Sequence, residues 1–166
     1  MSISACKIRH RTVSAGGLNL FVRQAGEPTQ PAVLLLHGVP TSSHCFRNLM
    51  PLLADTAYLV APDMPGFGFS DAPPLDRYEY SFANIADTID ALIDVLGLER
   101  MFLYVHDYGA AVAYQTEEVV AQQVAHFHGS RDALPGDAKV CDTRLERRNH
   151  HAVRQPLDRV VGAAVA

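Results

Sequence analysis

The chain reads as an α/β fold, three layers (α/β/α) around a mostly parallel sheet, and three observations predict it. Short apolar runs alternate with helix-period segments from about residue 32 to residue 120. The runs are uninterrupted, as strands covered on both faces require. Two sharp Gly-bearing corners, His37-Gly38 and Asp107-Tyr108-Gly109, each follow such a run directly. That is the carboxyl edge, where parallel α/β sheets gather functional groups.

In chain order, residues 8–13 and 18–24 are two short runs around Gly16-Gly17, a pair suited to a hairpin turn, so an antiparallel pair opens the sheet. Ala32-Val33-Leu34-Leu35-Leu36 is an interior strand. After His37-Gly38-Val39-Pro40, the hydroxyls of Thr41, Ser42 or Ser43 suit a helix cap. Phe46, Leu49, Met50 and Leu53 then fall at i, i+3, i+4 and i+7, one buried stripe that Pro51 should bend or end. Tyr58-Leu59-Val60-Ala61 is the next strand, followed by a Gly/Pro loop over residues 62–74, too apolar for a mere linker. Ser81 precedes a strongly periodic helix with Phe82, Ile85, Ile89, Leu92, Ile93 and Leu96 on one face, Asp87, Asp90 and Asp94 away from it, and Gly97 as its stop. Met101 to Val105 is the last clear strand, and residues 115–127 continue the helix after it with an imperfect apolar face.

Composition narrows the function classes. With 48% hydrophobic and 19% charged residues, the 166-residue chain has the material for one globular core. A net charge of −4, with no basic block before the tail, gives no reason to expect a nucleic-acid partner. No run reaches the roughly 18 apolar residues of a membrane span. Cys6, Cys45 and Cys141 form no CxxC pair, so a reducing, cytoplasmic setting is expected. His126 and His128 form an H-x-H pair without a third ligand at a recognisable spacing. No metal and no cofactor are expected.

Asp107 carries two readings. It is a helix N-cap, or it is a nucleophile raised at a strand–turn–helix elbow, where the first amides of the helix point into the same space. A carboxylate is ionised at neutral pH and needs no base to attack an sp3 carbon.

Three motifs taken together tip the balance. His37-Gly38-Val39-Pro40, Asp63-Met64-Pro65-Gly66-Phe67-Gly68-Phe69-Ser70 and Val105-His106-Asp107-Tyr108-Gly109-Ala110 resemble, in order and spacing, the N-terminal half of an α/β-hydrolase. With Asp at the elbow and Pro after His-Gly-Val, the nearest branch is that of epoxide hydrolases and haloalkane dehalogenases. The resemblance implies a small-molecule substrate, Asp107 as nucleophile forming an alkyl-enzyme ester, and the backbone amides of Val39 and Tyr108 as the oxyanion hole. It also implies a histidine base oriented by a carboxylate, both from the C-terminal half, with neither His37 nor His106 in that role. Haloalkane dehalogenases hold the leaving halide with a side-chain amide and an indole where this chain has Val39 and Tyr108, and the chain contains no Trp. Epoxide opening draws on lid tyrosines, and no lid is visible.

Beyond Tyr114 the resemblance thins. Seven of the 14 Lys and Arg residues lie in Ser130–Arg159, where apolar periodicity fades. On one reading, Gly129-Ser130-Arg131-Asp132 and His150 resemble the acid-bearing turn and the terminal histidine, making Asp132 and His150 the acid and base. On the other, which is preferred, the chain is a truncated or frame-disrupted hydrolase: residues 1–127 form a partial core and 128–166 an irregular or degenerate tail. The expectation is then a weakly active or inactive hydrolase, or alternatively a non-catalytic module that binds or oligomerises through an exposed sheet edge.

Overall fold

The computed structural model describes residues 8–120 and 124–129. Asp132, His150 and the remainder of the 130–166 segment lie outside the described residues. Six strands form one mixed sheet in the order β1-β2-β4-β3-β5-β6. They are β1 (Arg9–Ala15), β2 (Leu18–Ala25), β3 (Ala32–Leu36), β4 (Tyr58–Pro62), β5 (Met101–Val105) and β6 (Val124–Gly129). The β1–β2 and β2–β4 pairs are antiparallel, and the pairs β4–β3, β3–β5 and β5–β6 are parallel. The hairpin turns on Gly16 and Gly17 at φ 55° and 77°, the left-handed pair that matches strand twist.

Both faces of the sheet are covered, as the continuous apolar runs require. Leu34 and Leu36 of β3 pack with Val60, Ile85, Ile89 and Leu103 on one side. Leu35 packs on the other side with Leu59, Ala61, Phe46 and Met50. Every residue of β4 is buried. At roughly 1.5–3 kcal/mol for each large side chain taken from water, these central strands anchor the fold.

Two helices flank the first face. In α2 (Phe82–Leu96), the Ser81 hydroxyl accepts from the Asn84 amide, and Gly97 ends the helix in the left-handed region. α3 (Tyr108–Val120) packs against α2. On the second face the expected single helix is divided: a 3₁₀ turn, Ser43–Phe46, is followed by a short α1, Leu49–Leu53. Pro51 sits in the first turn of α1, where its missing N–H costs no intrahelical bond. Phe46 and Met50 are buried and Leu49 and Leu53 lie against the same cluster, so the stripe survives the break.

Two expectations need correction. The helix after β5 stops at Val120, and Val124–Gly129 is a strand parallel to β5, with Leu103 opposite Phe127 and Val105 opposite Gly129. Asp90 is half-buried rather than solvated, because α2 packs on α3 as well as on the sheet and its buried arc is wider than one stripe. Its Oδ1 has no hydrogen-bond partner among the described residues, and burial, then the neighbouring Asp87 and Asp94, push its carboxyl up to about 6.

Candidate active site

The site is built where β3 and β5 end side by side. The His106 amide donates to the Leu36 carbonyl at 3.1 Å, carrying the β3–β5 ladder one residue past Val105. Asp107 then turns into the left-handed region at φ 51°, the only non-glycine among the described residues to do so. Ala110 N donates back to Asp107 O at 2.9 Å, and α3 begins. This conformation costs an L-residue energy and persists only where the surroundings hold it. Two glycines make room for it. A Cβ on Gly38 would stand 2.5 Å from the Asp107 Cβ, and one on Gly109 would stand 2.6 Å from the Leu36 carbonyl oxygen.

The Asp107 carboxylate is exposed, and its Oδ1 accepts the Val39 amide at 2.8 Å. The amides of Val39 and then Tyr108 hold its carboxyl below the usual aspartate value, with partial desolvation opposing them and His106 adding a small favourable charge. Asp107 is therefore no ordinary N-cap: its strongest partner comes from another turn, 68 residues away.

Sequence reasoning did not foresee what aims the Val39 N–H. The Gly38 carbonyl, on the same peptide plane and pointing the opposite way, receives Thr41 N at 3.0 Å, Thr41 Oγ1 at 2.8 Å and the His37 ring Nδ1 at 3.0 Å. Fixing that carbonyl directs the amide at Asp107. His37 is fully buried, and its Nε2 lies 3.1 Å from the Met64 amide, which can only donate. The proton is thus on Nδ1, and burial keeps the ring neutral by lowering its pKa.

Asp63 is a second clip rather than a catalytic group. Fully buried, its Oδ1 accepts Ser43 N at 2.7 Å and its Oδ2 accepts Phe69 N at 2.9 Å, while its carbonyl accepts the Ser70 hydroxyl at 2.6 Å. Gly68, at φ 56°, lies against that carboxylate with no space for a Cβ. The folded loop carries Phe67 to within 5.6 Å of the Tyr108 ring, and Phe82 lies 4.8 Å from Tyr108 on its other side. Val39 and Phe82 remain exposed, and so does Phe69, whose ring lies against Phe21 of β2. The signal for these aromatic contacts in the sequence was the aromatic content of the 62–74 loop.

Asp107, Val39 and Tyr108 are thus brought together, whereas Asp132 and His150 lie outside the described residues. Among the described residues no group of three or more His, Cys, Asp or Glu side chains is placed to hold a metal ion. No described helix is long and apolar enough to cross a membrane.

A mixed sheet whose carboxyl edge presents a left-handed acidic corner, faced by an amide from the neighbouring turn, defines an α/β scaffold. The chain belongs to the alpha/beta hydrolase fold family, whose pattern matches residues 31–127. It is 42% identical over 106 residues to an uncharacterized hydrolase of Saccharomyces cerevisiae, covering 64% of this chain and 36% of that protein. It is 39% identical over 109 residues to epoxide hydrolase 2 of Siraitia grosvenorii (65% of this chain, 34% of that one). To the haloalkane dehalogenase of Bradyrhizobium diazoefficiens it is 37% identical over 108 residues, again 65% and 34%. Among solved structures, a Bradyrhizobium elkanii haloalkane dehalogenase loop variant superposes with a TM-score of 0.69 at 36% identity, covering 74% of this chain and 40% of that one. A Vigna radiata epoxide hydrolase variant superposes with a TM-score of 0.69 at 33% identity, covering 74% and 38%. The chain therefore spans 34–36% of the length of these curated relatives.

Proposed function

We propose that Asp107 is a nucleophile that alkylates itself on a small epoxide or alkyl halide. Oδ1 rests on the Val39 amide, and Oδ2 attacks the sp3 carbon. A C–O ester bond forms as the carbon–halogen or epoxide C–O bond breaks. The halide leaves as an anion, or the epoxide oxygen takes a proton from solvent. The Val39 and Tyr108 amides then serve as the oxyanion hole when water adds to the ester carbonyl. The observation that carries this reading is the exposed carboxylate held at a left-handed corner by the Val39 amide.

Hydrolysis of the ester requires a base to deprotonate water. His150 oriented by Asp132 is the base in the version of the proposal in which the chain turns over. In the other version the ester persists. Incubation with styrene oxide or a primary alkyl bromide, followed by intact-mass measurement, separates them. A lasting single adduct supports the nucleophile without turnover, and diol or alcohol accumulating beyond one equivalent supports turnover. An adduct equally abundant in Asp107→Asn removes Asp107 from the chemistry.

A second reading, a binding or oligomerising module, is favoured by the individually exposed Phe69, Leu75 and Tyr104, at 77%, 83% and 38%. Concentration-dependent light scattering without any adduct supports it over the enzyme. A reducing, cytoplasmic setting belongs to either reading, since the exposed Cys45 thiol is free.

A further inference from the structure

A second concavity lies at the opposite end of the sheet from Asp107. It is bounded by Tyr58, which starts β4, and by Gly97 and Leu98 just ahead of β5, so it sits at the amino ends of the parallel strands. Its volume is about 600 Å³, within the range of small-molecule sites. Arg9 and Arg11, two apart on β1, share one face of the strand, and Gln24 is directly opposite Arg9 on β2. All three line the cavity together with Tyr58 and Glu27.

We propose that this cavity binds the oxyanion group, a carboxylate or a phosphate, of a small molecule. Two independent features support the assignment. Neither guanidinium has a carboxylate partner among the described residues, and the Arg9 group is held in place by donating from Nη2 to the Gly26 carbonyl at 2.6 Å. Held guanidiniums recognise oxyanions through paired N–H groups. The second feature is a buried donor surplus. Gln24 and Tyr58 are only 6% and 7% exposed, and their one mutual hydrogen bond, 2.6 Å from Nε2 to the phenol oxygen, uses a single donor. With the amide as placed, the Tyr58 O–H and the second Gln24 N–H are left over; with the amide turned, both Gln24 N–H groups are. Either arrangement leaves a donor of this largely buried pair, in the lining of the concavity, with no acceptor among the described residues and therefore available to a ligand oxygen. Glu27 is the opposing charge at the rim, so it weakens an anion rather than recruiting one.

The test is calorimetric titration of the full chain with inorganic phosphate and, separately, with citrate, in a chloride buffer of fixed ionic strength. Saturable binding of phosphate alone assigns a phosphate group, and of citrate alone a carboxylate; both outcomes support the site. Arg9→Gln with Arg11→Gln weakens binding by about tenfold or more, as loss of charge-assisted hydrogen bonds requires. Glu27→Gln tightens it, a gain that misfolding cannot imitate. Absence of saturation by either anion overturns the proposal, as does binding unchanged in the double arginine variant.

Discussion

Gly38→Ala adds one methyl group at the point where the two turns meet. The residue is not in the left-handed region, so alanine meets no backbone penalty and the effect is purely one of contact. The new Cβ would stand 2.5 Å from the Asp107 Cβ and 2.7 Å from its Oδ1, whereas carbon–carbon contacts settle at roughly 3.5–4.0 Å. One turn must therefore retreat by about 1 Å. The Val39 N–H to Oδ1 bond, now 2.8 Å, then leaves hydrogen-bond range. A misplacement of that size costs on the order of 10²-fold in a positioned reaction. The assay is the pseudo-first-order rate of Asp107 alkylation by styrene oxide, followed by intact mass, with thermal unfolding recorded in parallel. Alkylation at the wild-type rate in a variant with unchanged melting would refute the claim that close approach of these turns activates the carboxylate. Gly109→Ala is the contrasting case: its Cβ meets the carbonyl oxygens of Leu36 and His37 at 2.6 and 2.8 Å, so it should lower the melting temperature as well as the rate.

Three further outcomes follow from the same geometry. Because the Val39 and Tyr108 amides depress the Asp107 pKa below 3.8, its alkylation rate should hold as pH falls to that value and drop only below it; a midpoint above 3.8 contradicts the hydrogen bonds. Asp90 behaves in the opposite sense. Its folded pKa of about 6 exceeds the ordinary 3.8, so the folded state binds the proton more tightly and stability falls as pH rises from about 4 to 6. Asp90→Asn should recover about 1–2 kcal/mol at pH 7 after discounting for solvent screening and almost nothing at pH 4, measured by urea unfolding at both. His37→Ala strands the buried Met64 N–H and removes one of the three donors that fix the Gly38 carbonyl. It should cost about 1–3 kcal/mol in urea unfolding and slow alkylation even where the protein remains folded.

What the sequence made legible were features encoded locally. Leu34-Leu35-Leu36 and Tyr58-Leu59-Val60-Ala61 read as strands because every position is apolar, and both lie in the middle of the sheet. Ser81 and Gly97 marked the ends of α2 because a cap and a left-handed stop depend on one residue each. The Asp107 corner was legible through the small residues around it. Hidden from local reading were features made by distant partners. β6 forms by pairing with β5, and tertiary pairing overrides the helical continuation that residues 115–127 suggested. His37 and Asp63 looked like motif decoration, yet each bonds a backbone amide 20 or more residues away. Asp90 was placed away from the apolar face because a single helical wheel does not include the packing of a second helix.

The contacts that assemble the acidic corner come from a limited part of the chain. Asp107 is raised by β5 and α3, faced by Val39, and spaced by Gly38; the Val39 peptide is held by His37 and Thr41; His37 is anchored at Met64 in the loop that Asp63 secures. All of these residues lie between positions 37 and 110, inside the region shared with the family. Ester formation needs a placed carboxylate and an electrophile, whereas ester hydrolysis also needs an oriented base. The proposed chemistry is therefore separable on this chain: the first step depends on groups already in position, the second on groups elsewhere. Trapping supplies the test, because a chain limited to the first step takes up one equivalent of epoxide and stops, and added hydroxylamine, a nucleophile that needs no base, should attack the ester carbonyl, release the alkyl group as an alcohol and leave Asp107 as a hydroxamate about 15 Da heavier than the untreated chain.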